Sequence, residues 1–361
     1  MSLQLINQYY NELHRAKQFG GSKNETSIRG AFLNLVNGLA RPKNLELVPE
    51  ISIKSSIGTT VRPDGVLRNI LQLDYGFWES KDSKDDIFEE IEEKFRKGYP
   101  TNNILFEDTQ TAVLFQDNTE LKVAMQDAEG LLALLQQFIG YERSEVKEFN
   151  KAIGQFSEDL PNVLAALRKM IDTEVGSNAT FAKESSLFLT LCQESINPNL
   201  VQKDVWEMLI QHILTEEIFM SIFGNADYHR ENNIAQSLYK VEKTFFRGET
   251  KQNLLASIRP YYNTVKARAS ELISHADKQN FLKAIYENFY KAYNPKGADR
   301  LGIVYTPTEI VKFMIEGTEF LLEKHFKKTL GSPNIEILDP CTGTGTFVTE
   351  LIEHIPPHQL A

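Results

Sequence analysis

Hydrophobic periodicity divides the first part of the chain into helical and strand-like segments. Apolar residues at three- and four-residue spacing predict amphipathic helices over residues 1–19 and 25–39. From residue 45 to 116, short runs alternate apolar and polar positions, which predicts strands interrupted by a charged helix over residues 83–96. With a further helix near residues 130–139, we predict an α/β domain over residues 1–145.

The hydrophobic pattern of the remaining chain predicts two further domains. Residues 146–295 read as almost entirely helical, and the broad apolar face over residues 204–223 is typical of a helix buried in a bundle. A helix over residues 308–328 and a buried-looking strand over residues 335–339, which runs into a glycine loop, then indicate the beginning of a parallel α/β domain. We therefore predict an all-α connector over residues 146–295 and an incomplete domain over residues 296–361.

Composition narrows the class of protein. The chain has 361 residues, 39 basic and 49 acidic side chains, and a net charge of −10, which argues against coating nucleic acid through bulk charge but allows a local basic groove. Two cysteines cannot build a disulfide framework, so a reducing compartment is the simpler expectation. No apolar run approaches the roughly 20 residues that span a bilayer. We expect a cytoplasmic protein without a membrane partner.

A pair of acidic motifs lies on consecutive predicted strands. Asp64 follows a proline next to a turn, and Glu79, Ser80 and Lys81 end the next strand. Positions i and i+2 of a strand share a face, so Glu79 and Lys81 project together beside Asp64. Two carboxylates, with the Ser80 carbonyl as a third oxygen, suit Mg²⁺ at a phosphate, and the Lys81 ammonium can orient the attacking water. Glu25, on the preceding helix, is a candidate fourth acid.

A surface salt bridge is the alternative interpretation of this pattern, because a Glu-x-Lys sequence is common in charged proteins. Three features favour a metal-dependent nuclease over it. The Pro-Asp pair precedes at a suitable distance, the elements run helix–strand–strand–strand–helix, and Glu79 ends an otherwise apolar strand.

The longer strings around these motifs resemble the PD-(D/E)xK nuclease superfamily. Residues 61–65 and 77–82, with 97–100 and 103–108 behind them, are more narrowly similar to the N-terminal cleavage domain of single-chain restriction–modification enzymes of types IIG and ISP. The resemblance implies a restriction-endonuclease-like α/β fold and Mg²⁺-dependent hydrolysis of double-stranded DNA. It makes Asp64, Glu79 and Lys81 catalytic, whereas Glu25 rests on its position alone.

A glycine-rich loop follows the predicted strand at residues 335–339. The local pattern is equally compatible with a tight strand–helix turn, and the Gly-Lys-Ser/Thr of a phosphate-binding loop is absent. The string Asp-Pro-Cys-Thr-Gly-Thr-Gly-Thr-Phe at 339–347 resembles motif I of S-adenosylmethionine-dependent adenine-N6 DNA methyltransferases. Residues 302–307 resemble the motif that precedes it in the γ arrangement. The resemblance implies a Rossmann-like domain with these cofactor contacts: Tyr305, Thr306, Pro307, Asp339, Thr342, Gly343, Gly345 and Phe347.

The departures from that family are equally informative. The catalytic Asn-Pro-Pro-(Tyr/Phe) motif is missing, because the Asn-Pro pairs at 197–198 and 294–295 do not match it. We therefore expect an incomplete cofactor site, no methylation by this chain alone, and partners in the missing methyltransferase and target-recognition domains. The lack of a helicase Gly-Lys-Thr loop favours the type IIG layout over the translocating type ISP layout.

The sequence leaves three hypotheses. The leading one is a Mg²⁺-dependent endonuclease that acts as a monomer and associates transiently on DNA. The second is a non-catalytic or autoinhibited DNA-binding fragment, and the third is a module that binds S-adenosylmethionine alone. Zinc binding is not expected, since His212, His229 and His354 are scattered and form no metal-binding motif.

Overall fold

The computed structural model describes residues 2–19, 25–81, 86–117, 119–223, 233–246, 248–294, 306, 308–340, 342 and 345–360. The chain forms two compact units, residues 1–288 and 289–361. The first unit contains both the predicted α/β domain and most of the predicted helical connector. The boundaries predicted at residues 145 and 295 are not tested by this division.

The α/β part of the first unit combines helices with one mixed sheet. Its helices are α1 (Ser2–Phe19), α2 (Glu25–Ala40), α3 (Ile87–Arg96) and α4 (Ala128–Gly140). Its strands are β1 (Leu45–Pro49), β2 (Ile53–Lys54), β3 (Thr60–Val61), β4 (Gly65–Asn69), β5 (Asp74–Ser80), β6 (Ile104–Glu107), β7 (Thr111–Gln116) and β8 (Thr119–Ala124). The predicted mixture of α and β structure is therefore present.

The six-stranded sheet has the order β1-β4-β5-β6-β7-β8, and β2 pairs with β3 separately. All neighbouring pairs in the large sheet are antiparallel except β5 and β6, which run in the same direction. Gly65 of β4 lies opposite Trp78 of β5, and Ser80 of β5 lies beside Glu107 of β6. The end of β5 is therefore flanked by the start of β4 and the end of β6.

Helices cover both faces of this sheet. On one face, α1, α2 and α4 bury a core that includes Phe32, Trp78 and Phe138. On the other face, α3 buries Ile87 and Ile91 against strand residues. Because strand side chains alternate between faces, β5 contributes Trp78 to the first core and Phe77 to the second.

The rest of the first unit is helical, as predicted. Its helices are α5 (Ser144–Ser177), α6 (Ala179–Ser195), α7 (Gln202–Phe223), α8 (Asn233–Phe245), α9 (Thr250–Leu254), α10 (Arg259–Glu271) and α11 (His275–Tyr293), the last of which continues into the second unit. Helix α7 buries Val205, Leu209 and Ile213 completely. This agrees with the prediction of a buried bundle helix.

A buried ion-pair network joins these helices to the start of β5. Asp74 Oδ1 lies 2.7 Å from Arg68 Nη2, and its Oδ2 lies 3.0 Å from Arg268 Nη2 of α10. Arg68 also reaches Asp277 of α11 at 3.3 Å. Burial raises the pKa of Asp74, but Arg268 and Arg68 outweigh it, so the pKa lies below its ordinary value. The carboxylate is thus held charged in the interior by two arginines.

The second unit contains α12 (Thr308–Phe326) and α13 (Thr346–His354), which pack around Val311, Ile315, Leu330 and Ile355. The prediction of a strand at residues 335–339 is wrong, since these residues adopt no regular structure. A strand needs a hydrogen-bonding neighbour, and no strand is present among the described residues of this unit. Leu338 is consequently 85% exposed rather than buried.

Two further sequence predictions need correction. Pro63 and Asp64 precede a strand rather than lie within one, because β4 begins at Gly65. Strand β8 was not predicted, since its side chains are mostly exposed and give little hydrophobic signal. The charged helix is described from Ile87, and residues 82–85 of the predicted span lie outside the described part.

Candidate metal centre

The sheet register brings the predicted acids together at the end of β5. Because Gly65 lies opposite Trp78, Asp64 is positioned across from Glu79 in the adjacent strand. The backbone N–H of Ser80 donates to Asp64 Oδ2 at 2.9 Å. The N–H of Lys81 donates to the carbonyl of Glu107 at 2.7 Å, which continues the parallel pairing one residue beyond β5. The motif residues are therefore fixed by backbone hydrogen bonds.

Glu79 is the most deeply buried of the predicted acids, at 1% exposure. Its Oε2 lies 2.5 Å from Lys94 Nζ and 3.3 Å from Lys81 Nζ. Its Oε1 is buried and has no hydrogen-bond partner among the described residues. Burial raises the pKa of Glu79 above its ordinary value, although the nearby Lys94 acts in the opposite direction. One oxygen of a buried carboxylate is thus left without a ligand from the protein.

Helix α3 supplies two charges that the sequence interpretation missed. Glu90 Oε2 lies 3.0 Å from Lys81 Nζ, and Lys94 reaches Glu79 from the same helix. Lys94 also lies 3.2 Å from the hydroxyl of Tyr99 and 4.5 Å from the centre of that ring. Ile87 and Ile91 define the buried face of α3, and helical spacing places Glu90 and Lys94 three residues after each of them. That spacing is the sequence signal that identifies both residues.

Arg29 of α2 approaches the centre from the opposite face of the sheet. Its Nη1 lies 3.3 Å from Asp64 Oδ1. Glu25 begins the same helix, but its side chain lies outside the described residues, so its predicted role stays a prediction. Helix α2 therefore contributes the Arg29 guanidinium to the centre, independently of any role of Glu25.

Glu107 is a further acid that the sequence did not reveal. It ends β6, is fully buried, and accepts a hydrogen bond from the N–H of Thr109 at 3.0 Å. Its pKa is raised to about 7, chiefly by burial and also by the nearby Asp108 and Asp64, although hydrogen bonds from the side chain of Ser80 and from Thr109 act in the opposite direction. Parallel pairing of β5 and β6 places it beside Ser80, which no local motif could indicate.

The residues at this centre fit a hard divalent cation. Asp64 and Glu79 offer carboxylate oxygens, the ligands that Mg²⁺ prefers, and the Oε1 of Glu79 has no hydrogen-bond partner among the described residues. Lys81 lies within reach of the same carboxylate. The arrangement can hold a cation against a phosphate and place an ammonium beside it.

The described cofactor residues between 339 and 347 form a turn rather than a closed pocket. The hydroxyl of Thr342 donates to the carbonyl of Asp339 at 2.9 Å, and Gly345 caps α13 at φ +79°, a conformation that favours glycine. Phe347 packs against the α12–α13 core. Thr306 is described in isolation, and Tyr305, Pro307 and Gly343 lie outside the described residues. The described residues therefore do not assemble a site for S-adenosylmethionine.

A second cluster of ionisable side chains lies among the connector helices. His212 and Glu216 of α7 and Glu242 of α8 offer ligand atoms within 4.8 Å of one another. Lys251 Nζ, however, lies 2.5 Å from Glu216 and 2.6 Å from Glu242. Because His212 and Lys251 together outweigh burial and lower the pKa of Glu242, we interpret the cluster as a structural ion-pair network. His354 instead pairs with Glu319, and His229 lies outside the described residues.

Comparison with known proteins identifies two segments of the chain. Residues 153–277 match the family described as type ISP restriction–modification enzyme, coupler domain. Residues 277–360 match the N-6 DNA methylase family, which implies the use of S-adenosylmethionine. No curated protein matches. Among the described residues, no helix has the length and apolar character needed to cross a membrane.

Solved structures of restriction–modification proteins are also similar. A cryo-electron microscopy structure of a DrdV–DNA complex is 47% identical, with a TM-score of 0.63, and the match covers 100% of this chain and 36% of that one. The type ISP enzyme LlaGI, as a nuclease-deletion mutant with a DNA substrate mimic, is 28% identical over 55% of this chain and 16% of its own, with a TM-score of 0.47. The ATP-dependent type ISP enzyme LlaBIII bound to DNA is 26% identical over 75% of this chain and 17% of its own, with a TM-score of 0.49.

The chain thus spans about a third of the DrdV chain that it matches throughout. The sequence preference for the type IIG layout stays a prediction, because the coupler match does not bear on a translocating motor. The coupler match, the methylase match and the identity to DrdV together mean that the chain belongs with the type ISP-like restriction–modification enzymes.

Proposed function

We propose that the α/β part of this chain is a Mg²⁺-dependent endonuclease that hydrolyses phosphodiester bonds of double-stranded DNA within a restriction–modification enzyme. The observation that carries the proposal is the carboxylate of Glu79. It is almost completely buried, retains an oxygen without a partner among the described residues, and lies with Asp64 and Lys81 at the end of one strand.

Each residue of the candidate metal centre has a separate role in the proposed reaction. When bound, Mg²⁺ would polarise the scissile phosphate and lower the pKa of a coordinated water. Asp64 and Glu79 would hold it, with the Ser80 carbonyl as a proposed third ligand. Lys81 Nζ, steadied by Glu90 at 3.0 Å, would orient the attacking water and offset the negative charge that develops on the phosphate.

The relatives support DNA as the substrate. DrdV was solved in complex with DNA, and the two type ISP enzymes were solved with a DNA substrate mimic and with DNA. We propose that this chain likewise acts on double-stranded DNA, in the cytoplasm, as a monomer that pairs transiently, because one active site cuts one strand. Its partners would be the methyltransferase and target-recognition domains of the whole enzyme.

Cleavage of unmethylated plasmid in Mg²⁺ or Mn²⁺ tests the proposal. Asp64→Asn should reduce cleavage by roughly a hundredfold or more, since it removes a charge from the cation site without changing the shape of the side chain. The control is Asp172→Asn on the exposed face of α5, which should cleave as the wild type does. Unchanged cleavage by Asp64→Asn would reject the assignment.

The outcome also separates the proposal from the second sequence hypothesis. Absence of cleavage by the wild-type chain and by both variants would favour a fragment that is held inactive until the rest of the enzyme binds its site. Cleavage that Asp64→Asn removes would instead mean that the α/β part needs no domain beyond residues 1–361 to act.

A methyltransferase contribution is the second candidate function, and the N-6 DNA methylase match to residues 277–360 favours it. The chain lacks the Asn-Pro-Pro-(Tyr/Phe) motif, and its described residues form no closed cofactor pocket. We propose that this segment contributes to S-adenosylmethionine binding in adenine-N6 methylation only when joined to the remainder of a methyltransferase domain.

A further inference from the structure

The charged groups of the candidate metal centre pair with one another. Arg29 contacts Asp64 at 3.3 Å, and Lys94 contacts Glu79 at 2.5 Å. Lys81 contacts Glu90 at 3.0 Å and Glu79 at 3.3 Å. Three carboxylates thus face three cations, so the centre has no excess negative charge among these side chains. A divalent cation that binds here must compete with the ammonium and guanidinium groups for the same carboxylates.

The acids and their cationic partners differ in how freely they can move. Glu79 lies on a central strand at 1% exposure, and the Ser80 N–H fixes Asp64. Lys94 and Arg29 come from helices on opposite faces of the sheet, and their side chains are 17% and 37% exposed. Long cationic side chains with partly exposed ends can change partners at a low cost, whereas the strand carboxylates cannot.

We infer that Lys94 and Arg29 are resident counter-ions, which neutralise Glu79 and Asp64 when no metal is bound and turn to a DNA phosphate when metal and substrate arrive together. The phosphate brings the negative charge that compensates both cations, because lysine and arginine are the usual protein contacts of the DNA backbone. This inference rests on the proposed nuclease function. It implies that metal and DNA binding each strengthen the other, by the same factor.

Binding of Mn²⁺ to the full chain, measured by electron paramagnetic resonance of free Mn²⁺, tests the inference without requiring cleavage. Lys94→Met should tighten Mn²⁺ binding by roughly tenfold, because it removes the competing charge. Arg29→Met should act in the same direction but less, since its ion pair is longer and more exposed. Lys97→Met, directly after the same helix and paired with the half-exposed Glu93, should leave the affinity unchanged.

A duplex with phosphorothioate linkages provides the second arm. The duplex should tighten Mn²⁺ binding to the wild-type chain by about tenfold. It should tighten Mn²⁺ binding to Lys94→Met less, because this variant already lacks the ammonium that competes with Mn²⁺ for Glu79. Unchanged or weaker Mn²⁺ binding by Lys94→Met would overturn the inference, as would an equal effect of the duplex on both proteins. If Asp64→Asn still abolished cleavage, only the counter-ion role would fall, and the nuclease proposal would stand.

Discussion

Two buried clusters of charge in the first unit have similar compositions but opposite electrostatics. In the candidate metal centre, burial is the largest influence on Glu79 and its pKa is raised. Among the connector helices, burial is again the largest single influence on Glu242, but His212 and Lys251 together outweigh it and the pKa is lowered. Asp64 accounts for part of the difference, since this second acid near Glu79 raises the pKa of the Glu79 carboxyl group.

The comparison separates a structural network from a candidate site. Asp74 behaves as Glu242 does, because arginines on two sides hold its pKa down. A cluster whose cations lower the pKa of the buried acid stabilises the fold, whereas one in which burial and a second acid keep that pKa raised is suited to a cation from outside. The experiments below test this distinction through stability, beginning with the largest expected effect.

Asp74→Asn should destabilise the protein by about 3–5 kcal/mol, because it leaves the buried guanidinium groups of Arg68 and Arg268 without their shared carboxylate. Unfolding in urea at pH 7 measures the loss, with the exposed Asp172→Asn as the control. A loss in the free energy of unfolding below about 1 kcal/mol is the range of a surface ion pair. It would mean that the network does not stabilise the contact between β5 and the connector helices.

Glu107→Gln should remove a pH dependence of stability. The pKa of Glu107 is about 7 in the folded protein against an ordinary 4.5, so the folded state holds the proton more tightly. The protonated Glu107 side chain therefore contributes fully to the free energy of unfolding below about pH 4.5. This contribution declines by roughly 3 kcal/mol as the pH rises through 7. The variant should be more stable than the wild type at pH 8 and similar at pH 5, in thermal unfolding with EDTA present. Equal differences at both pH values would contradict this assignment.

Lys251→Met should lower the free energy of unfolding by about 1–2 kcal/mol, which is less than the loss expected for Asp74→Asn. The Lys251 ammonium is partly exposed, so solvent screens the ion pairs that it forms with Glu216 and Glu242. Lys243→Met, at an exposed position of α8, is the matched control for urea unfolding. A stabilised Lys251→Met variant would instead indicate that the cluster is strained and would reopen its interpretation as a metal site.

Local pattern was sufficient to predict most helices and the proximity of Asp64, Glu79 and Lys81, whose catalytic role stays a prediction. The register pairs Gly65 with Trp78, which places Asp64, directly before Gly65, across from Glu79, directly after Trp78. The prediction of a strand at residues 335–339 was wrong because local pattern is not sufficient there. Its apolar residues satisfy the local pattern, but a strand depends on a neighbour that local sequence does not supply.

The residues that completed the centre come from elsewhere in the chain. Arg29 and Lys94 lie on helices that pack on opposite faces of the sheet, and Glu107 is placed by parallel pairing with β5. Only Glu90 and Lys94 had a usable signal, the helical spacing from Ile87 and Ile91. Long-range placement of this kind is decided by packing and cannot be read from one segment.

The position of strand β5 limits how chimeric enzymes can be built from this chain. Its seven residues begin at Asp74, which is paired with an arginine of the matched coupler region, and include Glu79 of the candidate metal centre near the other end. At about 3.3 Å per residue, the strand joins these two residues over roughly 17 Å of nearly inextensible backbone. A coupler taken from another enzyme would have to bring its own equivalent of Arg268, or the graft would release one end of the strand that carries the motif.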